Sequence, residues 1–397
     1  MSTDLFDQRL TNLLPELIAF RRDLHAHPEV GFQEHRTAGK IADWLARLPG
    51  ITIRAGVAET GIVATLGADR PGPCLAFRAD MDALPMEDRC GLPHASSHPG
   101  VAHACGHDGH VACLIGAATL MAEAPDKLAG PVRFIFQPAE EGGGGARFMI
   151  EQGALDNPRP VAIFGLHGWP SLPAGTVGLR SGPIMASTDA INLTIHGRGA
   201  HAAYPNRGVD PIVAASHVVA ALQTVVSRQC DPTEPAVVTI GSFHAGTARN
   251  VIPDTAELKG TLRTLSERQR VASRAAIRRV VEQTAAAFGA RADLEIEEGY
   301  PVNVNDAELK TCFERLAIET LGGERVSGDL PVSMGGEDFA YYIQQVPGCF
   351  WRLGVAPADG SPGVESLHNA AFDFNDDALA TGVRMHCAVA WSWKQQR

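Results

Sequence analysis

Phe134–Ile150 reads FIFQPAEEGGGGARFMI. Its first half belongs to an apolar run, Val132–Phe136, set between Pro131 and Pro138, which predicts a buried strand. Its second half predicts a helix over Ala146–Gln152. Between them stand Glu140 and Glu141, then the glycines 142–145. Neighbouring side chains on a loop point in different directions. One carboxylate can therefore hold a metal while the other moves protons, the division of labour of a metal-dependent hydrolase. The plain rival is a solvated acidic turn favoured by the dipole of the helix that follows. A phosphate loop is excluded because no Gly-Lys-Ser/Thr follows, and a dinucleotide loop because Arg147 stands where a glycine is required.

Working outward, other strand ends carry possible ligands. Cys74–Arg78 predicts a strand leading into Asp80 and Asp82, where open α/β sheets place their sites. Asp80 reads as an acceptor that orients a histidine rather than as a ligand. His103–His110, HACGHDGH, precedes a helix expected over Val111–Ala122. Cys105 and His107 alternate there like strand or loop neighbours, with Gly106 letting both turn inward. Pro160–Leu166 predicts a strand that stops at His167, and Ser366-Leu-His368 offers a further imidazole. Ser333–Phe339 is a glycine turn with acids opening a helix over Phe339–Gln345. Cys105, His107, Glu141, His167 and His368 exceed what one tetrahedral ion takes, so two divalent ions are expected: zinc, manganese, cobalt or nickel. At the N-terminus, a helix over Leu5–Asp23 is expected to break at Pro15. His25 and His27, in the loop expected over Leu24–Glu34, read as buried or capping imidazoles. A helix over His35–Leu48 follows.

A chain of 397 residues suggests two domains. The net charge of −11 argues against nucleic acid and anionic membranes as partners. The N-terminus lacks the basic start and apolar core of a signal peptide, and no apolar run reaches membrane-spanning length. Eight scattered cysteines without a CxxC pair point to reduced thiols and a cytoplasmic location. Between residues 187 and 298 the texture changes. Strands are expected at Ala190–His196, Ala236–Phe243, Ala256–Thr264 and Ala292–Glu298, and helices at Asp210–Ser227 and Ser266–Phe288. The order βαββαβ is that of a ferredoxin-like unit. It would be inserted into an α/β domain made of residues 1–186 and 299–397. His201 lies in a small-residue loop open to a ligand, Asn250 follows Arg249, and Arg263 suits a bidentate carboxylate contact.

Together the motifs resemble, over essentially the full length, the co-catalytic metallopeptidase family of aminoacylases, hippurate hydrolases and plant auxin-conjugate hydrolases. Carboxypeptidase G and the succinyl-diaminopimelate desuccinylases are more distant kin. The matching motifs are LHAHPEVGFQE (24–34), RADMDALPM (78–86), HACGHDGH (103–110), FQPAEEGGGGA (136–146), GLHGWP (165–170), GRGAHAAYP (197–205), RNVIPD (249–254), GTLRT (260–264), MGGEDF (334–339) and LHNAAFDF (367–374). The resemblance implies a zinc-peptidase-like catalytic domain, with a mixed central sheet flanked by helices, and an inserted lid and dimerisation domain. It implies Cys105, His107, Glu141, His167 and His368 as metal ligands and Glu140 as general acid and base. It places His201 and Asn250 where the family reaches substrate, usually from the partner subunit, with His201 as a catalytic residue that supports the tetrahedral oxyanion. Arg263 falls where the substrate carboxylate is gripped, with Gly335 and Gly336 lining the same pocket. Arg78 departs from the distant kin, many of which carry a histidine ligand there; Cys105 compensates in the aminoacylase branch.

The implied reaction is hydrolysis of an N-acyl-L-amino acid to a carboxylic acid and a free amino acid by a homodimer or higher homo-oligomer. Three alternatives stay open: a desuccinylase or deacetylase of one amino-acid metabolite, a cysteine hydrolase with Cys105 as nucleophile, and a non-catalytic metal-holding protein. Phe350, Trp351, Ile184 and Met185 are candidates to line an acyl pocket or to fill the core.

Overall fold

In the computed structural model, residues 3–358 and 365–393 are described, and the chain divides into two compact units. The first consists of the chain up to Gly182, Asn305–Pro331, and the chain from Tyr341 onward; the second consists of Pro183–Val304 and Val332–Ala340.

The apolar run around Phe134 is a strand, Val132–Gln137, buried along its whole length. Burial on both faces is what a continuous apolar run demands. It lies inside an eight-stranded mixed sheet in the order Ile51–Val57, Gly61–Leu66, Val132–Gln137, Cys74–Asp80, Pro160–Pro173, Gly348–Ala356, Val177–Gly178, Val326–Ser327. The four strands from Val132–Gln137 to Gly348–Ala356 run parallel. The helices Thr3–Ala26, His107–Glu123 and Leu379–Ser392 pack on one another, and His107–Glu123 also packs against Cys74–Asp80 and Pro160–Pro173.

Local expectation and structure part at three places, and packing decides between two readings at a fourth. The helix Thr3–Ala26 runs unbroken through Pro15. Proline in a helix interior costs about 3 kcal/mol. Phe6, Leu10, Leu17, Phe20 and Leu24 are buried along one stripe, and at about 1.5–3 kcal/mol each they outweigh it. The helix expected from Val111 begins at His107, so His107 and His110 occupy its first turn. The strand expected to stop at His167 continues to Pro173, because Gly348–Ala356 pairs along it, with Arg352 opposite His167. Phe350 and Trp351 lie within that partner strand and are fully buried core residues.

In the second unit, Ser187–His196, Pro211–Thr224, Ala236–Ala245, Thr255–Thr264, Glu267–Ala287 and Arg291–Glu298 follow one another as βαββαβ. The strands form an antiparallel sheet in the order Ala236–Ala245, Thr255–Thr264, Ser187–His196, Arg291–Glu298. Ile191, Leu193 and Ile195 alternate inward along the central strand and meet Val218, Leu222, Ile277 and Val281 of the two helices. Asp210 and Ser266 cap those helices, accepting from Ile212 N and Gln269 N.

Candidate metal centre

The site is built at the C-terminal ends of the parallel strands of the first unit. Cys74–Asp80 leads into Asp80 and Asp82, and Val132–Gln137 leads into Glu140 and Glu141. His167 comes from Pro160–Pro173 itself. Cys105 precedes Gly106, whose left-handed φ of 90° turns the chain into the helix starting at His107. Gly145 admits the chain's return after the two glutamates, since a Cβ there would fall 1.8 Å from the Pro138 carbonyl oxygen. Two non-glycine residues of the site have positive φ, Ala139 at 53° and His368 at 62°. Each is held by a hydrogen bond: Ala139 N donates to Glu34 Oε1 at 2.9 Å, and His368 N donates to the Ala104 carbonyl at 2.8 Å. Strained backbone of this kind gathers at functional sites.

The five expected ligands come together. Donor atoms of Cys105, His107 and His167 lie within 4.8 Å of one another, and so do those of Cys105, Glu141 and His368. Cys105 belongs to both groups. Glu140 stands with His107 and Glu141 in a third. The Cys105 Sγ to His167 Nε2 distance is 3.4 Å, and His368 Nε2 lies 3.1 Å from Glu141 Oε1. Two donors on one tetrahedral ion, with bonds of about 2.0–2.3 Å, are separated by roughly 3.3–3.6 Å. The spacing suits a cation between them.

Ring orientation supports the same assignment. His107 Nδ1 donates to the Asp82 carbonyl at 2.9 Å, leaving Nε2 buried without a hydrogen-bond partner. His167 Nδ1 donates to the Gly168 carbonyl at 2.8 Å, which turns Nε2 toward Cys105. Metal-binding histidines are commonly fixed through the other nitrogen in this way. His110 is different. Its Nε2 accepts from Gly168 N at 2.7 Å and its Nδ1 donates to Asp80 Oδ1 at 2.6 Å, so no nitrogen is left over. The other Asp80 oxygen accepts from Arg78 Nη1 at 2.7 Å. Asp80 therefore orients a histidine, and Arg78 neutralises Asp80. Asp82 does more than sequence reading assigned to it. Its backbone oxygen receives His107, and its Oδ2 accepts from Glu141 N at 2.9 Å. The signal was the alternation after the strand, which puts Asp80 and Asp82 on one side.

The electrostatics call for positive charge. Burial, with the carboxylates of Glu141, Glu140 and Asp80 added to it, holds the Cys105 thiol well above its usual range. Burial opposes protonation of His107, but Asp80, Asp82 and Glu141 outweigh it and raise its pKa to about 10. Burial pushes His167 well down, helped by His110. A dication would let the thiol ionise and take the place of the imidazolium proton. The donor set of one sulfur, three imidazoles and one carboxylate, with a buried orphan atom at His107 Nε2 among the described residues, fits divalent metal. Cys105 and Glu140 are only 6% and 7% exposed, whereas the His368 side chain is 54% exposed, so one side of the cluster is open.

The remaining expected residues belong to the second unit and form two groups. Arg263 is half-buried, with Nε donating to Thr261 Oγ1 at 3.0 Å. A Cβ on Gly336 would come 3.4 Å from its Nη1, and Gly335 adjoins through a turn in which its N donates to Ser333 Oγ at 3.0 Å. His201 is exposed on Ala200–His201, which pairs with Val251–Ile252; exposed Asn250 immediately precedes that second segment, and Ala202 N donates to the Asn250 carbonyl at 3.0 Å. His25 and His27 stand outside the cluster: His25 bonds Asp108 Oδ2 at 2.9 Å, and His27 Nδ1 donates to the Asp23 carbonyl at 2.8 Å. His25 lies within the first helix rather than in a loop.

Residues 76–392 match peptidase family M20/M25/M40. N-acetyl-L-cysteine deacetylase of Bacillus subtilis (strain 168) is 42% identical over 370 residues, covering 93% of this chain and 86% of that protein. An IAA-amino acid hydrolase of Arabidopsis thaliana is 39% identical over 378 residues, covering 94% and 84%. Among solved structures, a dinuclear metal binding peptidase of the M20 family from Bacillus subtilis superposes with a TM-score of 0.84 at 38% identity, covering 98% of this chain and all of that one.

Proposed function

This chain belongs to peptidase family M20/M25/M40, and from that premise we propose that it is a metal-dependent amidohydrolase cleaving the amide bond of N-acyl-L-amino acids. The observation that carries the reading is the pair of ligand groups sharing Cys105, with Glu140 beside them. Cys105, His107, Glu141, His167 and His368 hold two divalent ions per subunit. When bound, the ions lower the pKa of a water and polarise the amide carbonyl.

Glu140 takes the proton of the attacking water and returns it to the departing amine. Its near-complete burial suits that role, because a dry carboxylate meets few competing proton donors. Asp82 positions two groups at once, the His107 ring and the Glu141 backbone. Arg263 has no carboxylate at ion-pair distance among the described residues, so its guanidinium is free to take the α-carboxylate of the amino acid beside Gly335 and Gly336. His201 and Asn250 act on the substrate from a partner subunit's lid, which makes the second unit the pairing surface of a homodimer or higher homo-oligomer. The relatives named for acetylcysteine and for indole-acetic conjugates share an acylated amino acid and differ in the acyl group. The carboxylate grip is accordingly the constant part of recognition. The eight cysteines are in no disulfide among the described residues, which favours a reducing, cytoplasmic setting. Among the described residues no helix is long and apolar enough to cross a membrane.

The test is a panel of N-acyl amino acids assayed with manganese, zinc, cobalt or nickel, using the wild type and Glu140→Gln. The variant should keep its fold and bound metal and lose roughly 10²–10⁴-fold in turnover. A variant that turns over at the wild-type rate removes Glu140 from the mechanism. Chelator should abolish wild-type activity; activity that survives it would favour Cys105 as a nucleophile instead.

A further inference from the structure

A second set of donors lies in the first unit, outside the cluster described above. His25 is buried, and its Nδ1 is tied to Asp108 Oδ2 at 2.9 Å. Among the described residues its Nε2 has no hydrogen-bond partner. That nitrogen lies 3.6 Å from Asp88 Oδ2, and the donor atoms of His25, Asp88 and Cys90 are all within 4.8 Å of one another. The arrangement repeats that of the main centre: one imidazole nitrogen is anchored and the other is left bare among a carboxylate and a thiol. We propose that His25, Asp88 and Cys90 form a third cation site, for a thiophilic divalent ion such as Zn²⁺ or Cd²⁺.

Several observations support it. The 3.6 Å separation is close to the roughly 3.4 Å expected between nitrogen and oxygen donors on one tetrahedral ion. Asp88 is already in place: its oxygens accept from Cys90 N at 2.8 Å and Ser96 N at 2.6 Å, and its side chain is only 4% exposed. Such anchoring lowers the entropy lost on binding. A carboxylate–histidine pair like Asp108–His25 fixes the tautomer and raises the basicity of the free nitrogen. Beside it stands His103, buried, with neither ring nitrogen hydrogen-bonded and its centroid 6.2 Å from that of His25. The charge of the nearby Arg21 is shared among Asp373, Asp376 and Asp108, at 2.6, 2.9 and 3.2 Å. Half-buried Cys90 provides the way in from solvent. Burial disfavours the His25 imidazolium, yet Asp108 and Asp88 raise its pKa to about 11, so without metal the ring carries the proton that a cation would displace. On binding, the Cys90 S–H proton and the extra imidazolium proton leave to solvent as the sulfur–metal and nitrogen–metal bonds form.

The full-length protein, stripped with chelator, reloaded with Cd²⁺ and freed of unbound ion, should hold one metal equivalent more than Cys90→Ala treated alike, whatever the main centre contains. Asp88→Asn keeps one of the two acceptors for backbone N–H groups and should lose the same equivalent. Thiolate-to-cadmium absorption should fall in Cys90→Ala while the part due to Cys105 remains. Both variants should keep wild-type amide hydrolysis, which separates this site from the catalytic one. Equal metal content in wild type and Cys90→Ala would overturn the proposal.

Discussion

His107 and His110 lie three residues apart in one helical turn and are both buried, yet only His107 has a ring nitrogen to spare. That single lone pair separates a proposed ligand from a structural histidine. His386 is a third kind: buried against Phe77 and Trp351, with neither nitrogen hydrogen-bonded. Burial pushes its pKa down to about 3, with His110 adding to the effect. The neutral ring is thus favoured in the fold, while the unfolded chain takes up a proton below about pH 6.5. Its contribution is intact above that pH and is lost as pH falls toward 3, at up to about 1.4 kcal/mol per pH unit. His386→Phe fills similar space without titrating. Urea unfolding of metal-free protein at pH 8 and pH 5 should show the wild type losing about 2 kcal/mol more than the variant on acidification. Equal losses would mean that His386 does not titrate differently in the folded state.

At the scale of elements, the site depends on links between separate strand ends. Asp82 follows Cys74–Asp80 and reaches both the first residue of the helix His107–Glu123 and the loop after Val132–Gln137. Asp82→Asn turns one carboxylate oxygen into an N–H group. With that group facing Glu141 N, the hydrogen bond is lost and the loop is released. Metal affinity should drop about 10–100-fold, as for other partners of metal ligands, while the helical circular dichroism signal stays unchanged. Unaltered affinity would show that the glutamate loop holds its own shape. The same scale explains Pro15. Local propensity ends a helix there, but a stripe of buried side chains carries it through.

At the scale of the molecule, each unit has its own apolar core, and all five proposed ligands lie in the first. Metal removal should therefore act on one unit. In calorimetry, the transition of the first unit should move down when chelator replaces a metal excess, losing about 4 kcal/mol where the ion stood at a thousand times its Kd. The transition of the second unit should stay in place; a joint shift of both would mean that they unfold as one. The sequence by itself determined the donors and the strands that deliver them: apolar runs ending at Asp80 and Glu140, HACGHDGH, and the βαββαβ order of the second unit. Period-two and helical patterns are properties of neighbouring residues, and a resemblance adds their order. Tertiary structure decided which donors remain available. His110 is consumed by Asp80 and by Gly168, 58 residues away, and His107 is freed by Asp82, 25 residues away. Whether an imidazole ligates depends on which partners reach its second nitrogen, and those partners are chosen by packing across the sheet, which no local pattern encodes.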